Sequence, residues 1–125
     1  MKSLSVKLAV ILLVMGLTIC YAKTWAAEWK EFAEATTGVF HYDAASISST
    51  PGGFVRVWIH NATKEETNLV ELDCKERRYH VLDVIQYDKT NRIKSRETYY
   101  DNPTPSWYDI SQKSVPEPLY YTLCP

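Results

Sequence analysis

Phe54-Val55-Arg56-Val57-Trp58-Ile59-His60 alternates without interruption: Val55, Val57 and Ile59 fall on one side, Arg56, Trp58 and His60 on the other. A strand sends successive side chains to opposite faces, so this period of two describes a strand with one face on a core. Val57 is expected inside and Arg56 mostly exposed, because only one of the two can face that core. Asn68–Cys74 repeats the pattern, with Val70, Leu72 and Cys74 facing one way and Leu69, Glu71 and Asp73 the other. Tyr79–Tyr87 places Tyr79, Val81, Ile85 and Tyr87 on one face and Leu82 and Val84 opposite. Apolar residues on both sides suit a central strand, or one whose second face is covered. Pro51-Gly52-Gly53 and Asp88-Lys89-Thr90-Asn91 supply turns, and Asn91 can take the positive φ that a tight hairpin requires.

Outward from this region the pattern weakens. Trp25, Trp29, Phe32 and Ala33 fall at helical spacing among Ala, Glu and Lys, yet Trp29–Glu34 also alternates and runs into Thr36-Thr37-Gly38. Local propensity favours a helix there and alternation a strand. Asn102–Trp107, with Pro103 and Pro105, must be irregular. Ser114-Val115-Pro116-Glu117 has the form of a capping box, the Ser114 hydroxyl accepting from the Glu117 amide and the Glu117 carboxylate reaching back to the Ser114 amide. A short helix from Val115 to about Leu123 follows, with Leu119 and Leu123 one turn apart and Pro118 in the first turn.

The chain opens on Lys2 and Lys7, then runs from Leu8 to Ala22 without a charge. That run is shorter than the roughly 20 residues a membrane-spanning helix needs and has the length of a signal-peptide core. Cys20-Tyr21-Ala22 puts small residues at the two positions that signal peptidase reads, so cleavage is expected after Ala22, with Ala26 as the second site. A lipid-modified Cys20 is the competing reading, and the branched Ile19 before it argues against that modification. An uncleaved anchor is the third. With residues 1–22 removed as a signal peptide, residues 23–125 form one domain, too short for two cores.

The precursor has 14 basic and 15 acidic residues; loss of Lys2 and Lys7 leaves the domain at net −3. A weakly acidic domain has no electrostatic footprint for nucleic acid, and membrane contact would come only through a lipidated Cys20. With Cys20 in the leader, Cys74 and Cys124 remain as an even pair, and in an oxidising compartment such a pair most often joins. Free thiols are the alternative; redox activity would want a Cys-x-x-Cys spacing that is missing.

Residues for catalysis are not evident. His41, His60 and His80 could gather across strands, but no pair has a spacing typical of zinc ligands. Asp73, Asp83 and Asp88 sit near strand ends, within range of Arg77, Arg78 or Arg92. No serine lies in a nucleophile elbow. The expectation is a protein that is not an enzyme, with no catalytic residue, cofactor or metal. Aromatic residues are more informative: Tyr99, Tyr100, Trp107, Tyr108, Tyr120 and Tyr121 crowd the last quarter of the chain. They read first as packing for the C-terminal segment and second as part of a protein-binding surface. Arg56, Trp58 and His60, on one strand face, form the candidate binding patch, unless that face packs against the helix. Asn61-Ala62-Thr63 matches a glycosylation sequon, which is expected to be incidental.

The residues also resemble a known family. Trp29, Tyr42-Asp43 with Ser46-Ile47, Val55-Arg56-Val57-Trp58, Leu69-Val70-Glu71-Leu72-Asp73-Cys74, Arg77, Tyr87-Asp88, Trp107, Ile110, Ser114 and Cys124 resemble, in order, the bacterial surface-adhesin protein E family. That resemblance implies an α+β, mainly β fold: a six-stranded, meander-like antiparallel sheet with a short C-terminal helix, tied by a disulfide that would here join Cys74 and Cys124. It also implies a first strand at Trp29–Glu34. It further implies export to the periplasm or cell surface and a protein partner, host extracellular-matrix proteins among them. Two departures stand out: the poor lipobox, and Asn91 where a turn glycine is common. The alternative function is a periplasmic carrier of a small ligand, haem or a metal.

Overall fold

The computed structural model describes residues 26–125. The expected leader over residues 1–22, its cleavage site and Cys20 lie outside the described residues. Six strands follow one another across an antiparallel sheet: β1 (Trp29–Ala35), β2 (Gly38–Asp43), β4 (Phe54–Asn61), β5 (Glu66–Asp73), β6 (Arg78–Tyr87) and β7 (Ile93–Thr98). Two short strands attach to them, β3 (Ser48–Ser49) on β4 and β8 (Tyr108–Asp109) on β6. The C-terminal helix, α1, spans Pro116–Leu123. The sheet is thus the meander expected, and the ambiguous segment at Trp29 is a strand. Helical spacing of its aromatics yields there to pairing with β2 along nearly its whole length.

Turn chemistry explains the connections. Gly38 has φ +143°, and a side chain at that position would collide with Asn61. Asn61 is buried, and its Oδ1 accepts from the Thr63 and Lys64 amides, so the sequon residue is a structural turn group. Asn91 does take a positive φ, +61°, in the β6–β7 turn, where Asp88 Oδ1 accepts from the Thr90 and Arg92 amides.

The core lies between one face of the sheet and α1: Val55, Val57, Val70 and Leu72 from the strands, with Ile110 and Leu119. Val57 is 0% exposed, as its alternation with Arg56 requires. In β6 the simple alternation fails. Tyr79 and Val81 pair with Leu72 and Val70, but beyond a bulge at Leu82 it is Val84 that pairs with Asn68, while Ile85 pairs with Thr67. One extra residue reverses the faces. Ile85 therefore leaves the face it was expected to share with Tyr79 and Val81, and Val84 joins it.

The helix differs from expectation at its start. Val115 at the N-cap is already helical and makes no side-chain cap bond. Ser114 Oγ donates instead to Ser111 O at 2.6 Å, and the Glu117 carboxylate turns to the Lys113 amide and to Arg77. Arg77, at φ +52° in the β5–β6 turn, is the reason. Its guanidinium donates to Ile110 O at 2.9 Å and to Glu117 Oε2 at 2.8 Å and lies over the Tyr120 ring. The Cys74–Cys124 disulfide joins the end of β5 to the end of α1, across 50 residues of chain, and Tyr120 OH donates to Cys74 O. A helix of eight residues would not persist alone in water; this one is held by the disulfide, by Arg77 and by Leu119 in the core. No helix among the described residues is long and apolar enough to cross a membrane.

Candidate functional site

The sheet face turned away from α1 carries Arg56, Trp58 and His60 on alternate positions of β4. The helix packs on the other side, against the face of Val57, so these three residues are not its packing surface. Each heads a row that crosses the neighbouring strands.

In the first row Arg56 stands opposite Glu71, which stands opposite His80. Arg56 Nε donates to Glu71 Oε2 at 2.7 Å and His80 Nε2 to Oε1 at 2.9 Å. Burial alone would raise the Glu71 carboxyl, but these two hydrogen bonds, with the charge of Arg56, hold it below its ordinary value. Trp107 closes over the end of this row, its ring 4.0 Å from that of His80, and the Arg78 guanidinium sits 4.4 Å above the same indole. Arg78 also donates to Asp73 Oδ2 at 3.0 Å. Burial would raise Asp73 too; the Glu76 amide and Arg78 outweigh it and lower the carboxyl.

The second row runs from Trp58 to Leu69 and, because of the bulge at Leu82, to Asp83. Asp83 is 0% exposed and receives two bonds from Arg96 of β7, Nη2 at 2.7 Å and Nε at 3.2 Å. The third row places His41 opposite His60, and His60 opposite Thr67, with Nδ1 and Oγ1 sharing a hydrogen bond at 2.9 Å. Burial lowers the His60 pKa, and the facing His41 lowers it further. Trp29 of β1, 43% exposed, tilts against His60 at 5.6 Å. Trp29, His60 and Thr67 line a cleft of about 260 Å³ with Tyr87 and Asn91. The first strand and the β6–β7 turn share that cleft, so the sheet curls toward this face.

The three proposed patch residues are therefore brought together, with one correction. Arg56 is not mostly exposed: its side chain is 38% exposed and fixed on a buried carboxylate. The histidines do not converge. His41 and His60 face each other, whereas His80 is held in another row by Glu71 and Trp107. Among the described residues no group of three or more His, Cys, Asp or Glu is placed to hold a metal ion. Of the late aromatics, Trp107 and Tyr120 pack against the sheet or the hairpin, while Tyr99, Tyr100, Tyr108 and Tyr121 remain exposed, against the expectation that packing would claim them. Asp73 does pair with Arg78, but Asp83 takes Arg96, and Arg77 goes to Glu117. Sequence reasoning missed Trp29 and Trp107 as members of this face, since each reaches it from a distant segment.

This face combines charged and aromatic side chains. Its charges are matched pairs, and its three tryptophans, Trp29, Trp58 and Trp107, offer flat apolar area beside them. A family model described as surface-adhesin protein E matches residues 29–125. No curated protein and no solved structure matches the chain.

Proposed function

The chain belongs to the surface-adhesin protein E family, and from that premise we propose that it is an exported, non-catalytic module that holds a protein partner on the sheet face of Arg56, Trp58 and His60. The observation that carries this reading is the composition and fixity of the face. Tryptophan and arginine supply most of the energy in protein interfaces. Here Trp58 lies on β4 between Arg56, whose position is set by Glu71, and His60, against which Trp29 tilts, and α1 packs on the opposite face. Side chains already held in place lose little entropy when a partner arrives.

Export rests on residues 1–22: the mature chain starts at Lys23 and works in the periplasm or at the cell surface. Intact mass of protein recovered from the envelope tests this. A lipidated Cys20 would instead make it a membrane-anchored protein. Binding is tested with the mature domain against purified extracellular-matrix proteins by surface plasmon resonance. Trp58→Ala and Trp29→Ala should each weaken the interaction at least tenfold, about 1.4 kcal/mol or more, without moving the melting temperature by more than a few degrees. Tyr121→Ala, on the exposed side of α1, should leave it unchanged. Full binding by both tryptophan variants would remove this face from the function.

A further inference from the structure

One polar side chain on the helix face has no counterpart in the packing around it. Asn68 of β5 stands between Ile59 of β4 and Val84 of β6 and on the same side as Val70 and Leu72. Its Oδ1 is buried from solvent and has no hydrogen-bond partner among the described residues. A buried acceptor left unpaired opposes folding, whereas leucine at the same position would favour it, so an atom of this kind asks for an explanation.

Asn68 also lines a cavity of about 270 Å³ between the sheet and the first turn of α1. Phe32, Phe40, Ile59, Val70 and Leu119 form most of its wall, and no charged side chain reaches it. Small-molecule sites have this composition, an apolar wall with a few placed polar atoms. A dry cavity of about 150 Å³ already accepts benzene, so this one has room for an aromatic ring and a short chain. A lone water at Oδ1 would want two to four polar partners, and an apolar wall supplies few. An ionised ligand would lie here without a counter-charge.

We propose that this cavity binds a small neutral molecule with an aromatic or short-chain apolar body and one hydroxyl or N–H group, which donates to Asn68 Oδ1. The site is independent of the protein-binding face, because it lies on the other side of the sheet.

The test is titration of the mature domain with 4-propylphenol and with 4-propylanisole, which has nearly the same shape but no donor, followed by calorimetry and by amide shifts. The phenol should bind saturably, shift the amides of Asn68, Val70 and Leu119, and bind about five- to tenfold more tightly than the ether, the share of one neutral hydrogen bond. Asn68→Leu should abolish that difference while the domain stays folded. If the variant does not fold, the comparison of the two compounds on the native protein still decides. No binding at millimolar concentration, equal affinity for both compounds, or shifts confined to Trp29 and Tyr87 would each overturn the proposal.

Discussion

The two faces of this sheet both bury side chains, but by different means. Against α1 the buried side chains are Val55, Val57, Val70 and Leu72 with Leu119 and Ile110, whose packing is non-directional. On the far face the buried set includes Glu71, Asp73, His80 and Asp83, and every one has a named partner: Arg56, Arg78, Trp107 or Arg96. An apolar face loses stability roughly in proportion to the volume removed. A face built of pairs depends on which member is removed, since each loss strands the other. The second arrangement also fixes arginine side chains, with tryptophans beside them, at the surface, which a smooth apolar layer would not do.

The strongest way to break this contrast is to put a charge into the apolar face. Val57→Asp places a carboxylate at a position with 0% exposure and no basic neighbour in the core, so the domain should have no folded state by circular dichroism. Arg56→Asp, one residue along, should remain folded. It loses the bond to Glu71 and sets two carboxylates together, a cost of about 2 kcal/mol. If both variants melt at the same temperature, the faces do not differ in the way described.

Next in size is the staple. Closing a loop of this length is worth up to about 4 kcal/mol in the chain-entropy account, a large share of a typical domain's stability of roughly 5–15 kcal/mol. Replacing Cys74 and Cys124 by serine should lower the melting temperature. Hydrogen exchange should show α1 losing protection before Val81–Ile85 does. Arg77 refines the expectation: its bonds to Ile110 and Glu117 keep the helix nearby, so Arg77→Ala added to the serine pair should release α1 fully. Equal loss of protection in sheet and helix would mean that the two fold as one unit.

A smaller effect tests the far face directly. Arg96 has a side chain 50% exposed, whereas Asp83 has 0%. Removing Asp83 leaves a guanidinium that can turn to water; removing Arg96 leaves a carboxylate that cannot. Arg96→Ala should therefore destabilise the domain more than Asp83→Leu does. Chemical denaturation of the two variants measures the difference, and the reverse order would show that Arg96 does not compensate the buried charge.

The same contrast explains what could be read from the residues alone. The helix face was legible because Val55, Val57 and Ile59, then Val70 and Leu72, keep a strict period and need no knowledge of their neighbours. The far face was not, because its logic lies in register. Arg56 meets Glu71 across 15 positions and Asp83 meets Arg96 across 13, and both meetings depend on how the hairpins align. The bulge at Leu82 leaves no mark in the alternation of Tyr79–Tyr87, yet it moves Asp83 and Ile85 to the opposite side. Trp107 follows a proline-rich stretch whose irregularity was evident, but nothing in its spacing says that it returns to His80. At the helix start the motif itself misled: Ser114 and Glu117 have capping-box spacing, but Arg77 competes for the same carboxylate and holds it. Of the candidate patch, Arg56, Trp58 and His60 were visible as alternate residues of one strand, whereas Trp29 joined them only through the curl of the sheet.

The mildest probe is pH, and it should act on one face more than the other. The shifted acidic groups of the far face, Glu71 and Asp73, have carboxyls lowered from reference values of 4.5 and 3.8. A lowered carboxyl means that the unfolded chain takes up protons before the folded one does. The stability these two contribute is complete above the reference values and is lost as pH falls through their lowered ones. His60 is also lowered, from 6.5, so the same rule applies at higher pH: stability begins to fall as pH drops below about 6.5 and stops falling once folded His60 is protonated. Two steps are therefore expected in melting temperature between pH 8 and pH 3, a small one from His60 and a larger one from the carboxylates. His60→Gln should remove the first and Glu71→Gln should reduce the second. Hydrogen exchange below pH 4 should show Leu69–Asp73 and Arg78–Asp83 opening while Leu119 in α1 keeps its relative protection, because the apolar layer around it has no group that titrates in this range. A melting temperature flat from pH 8 to pH 3 would show that the pairs on the far face are not what buries its carboxylates.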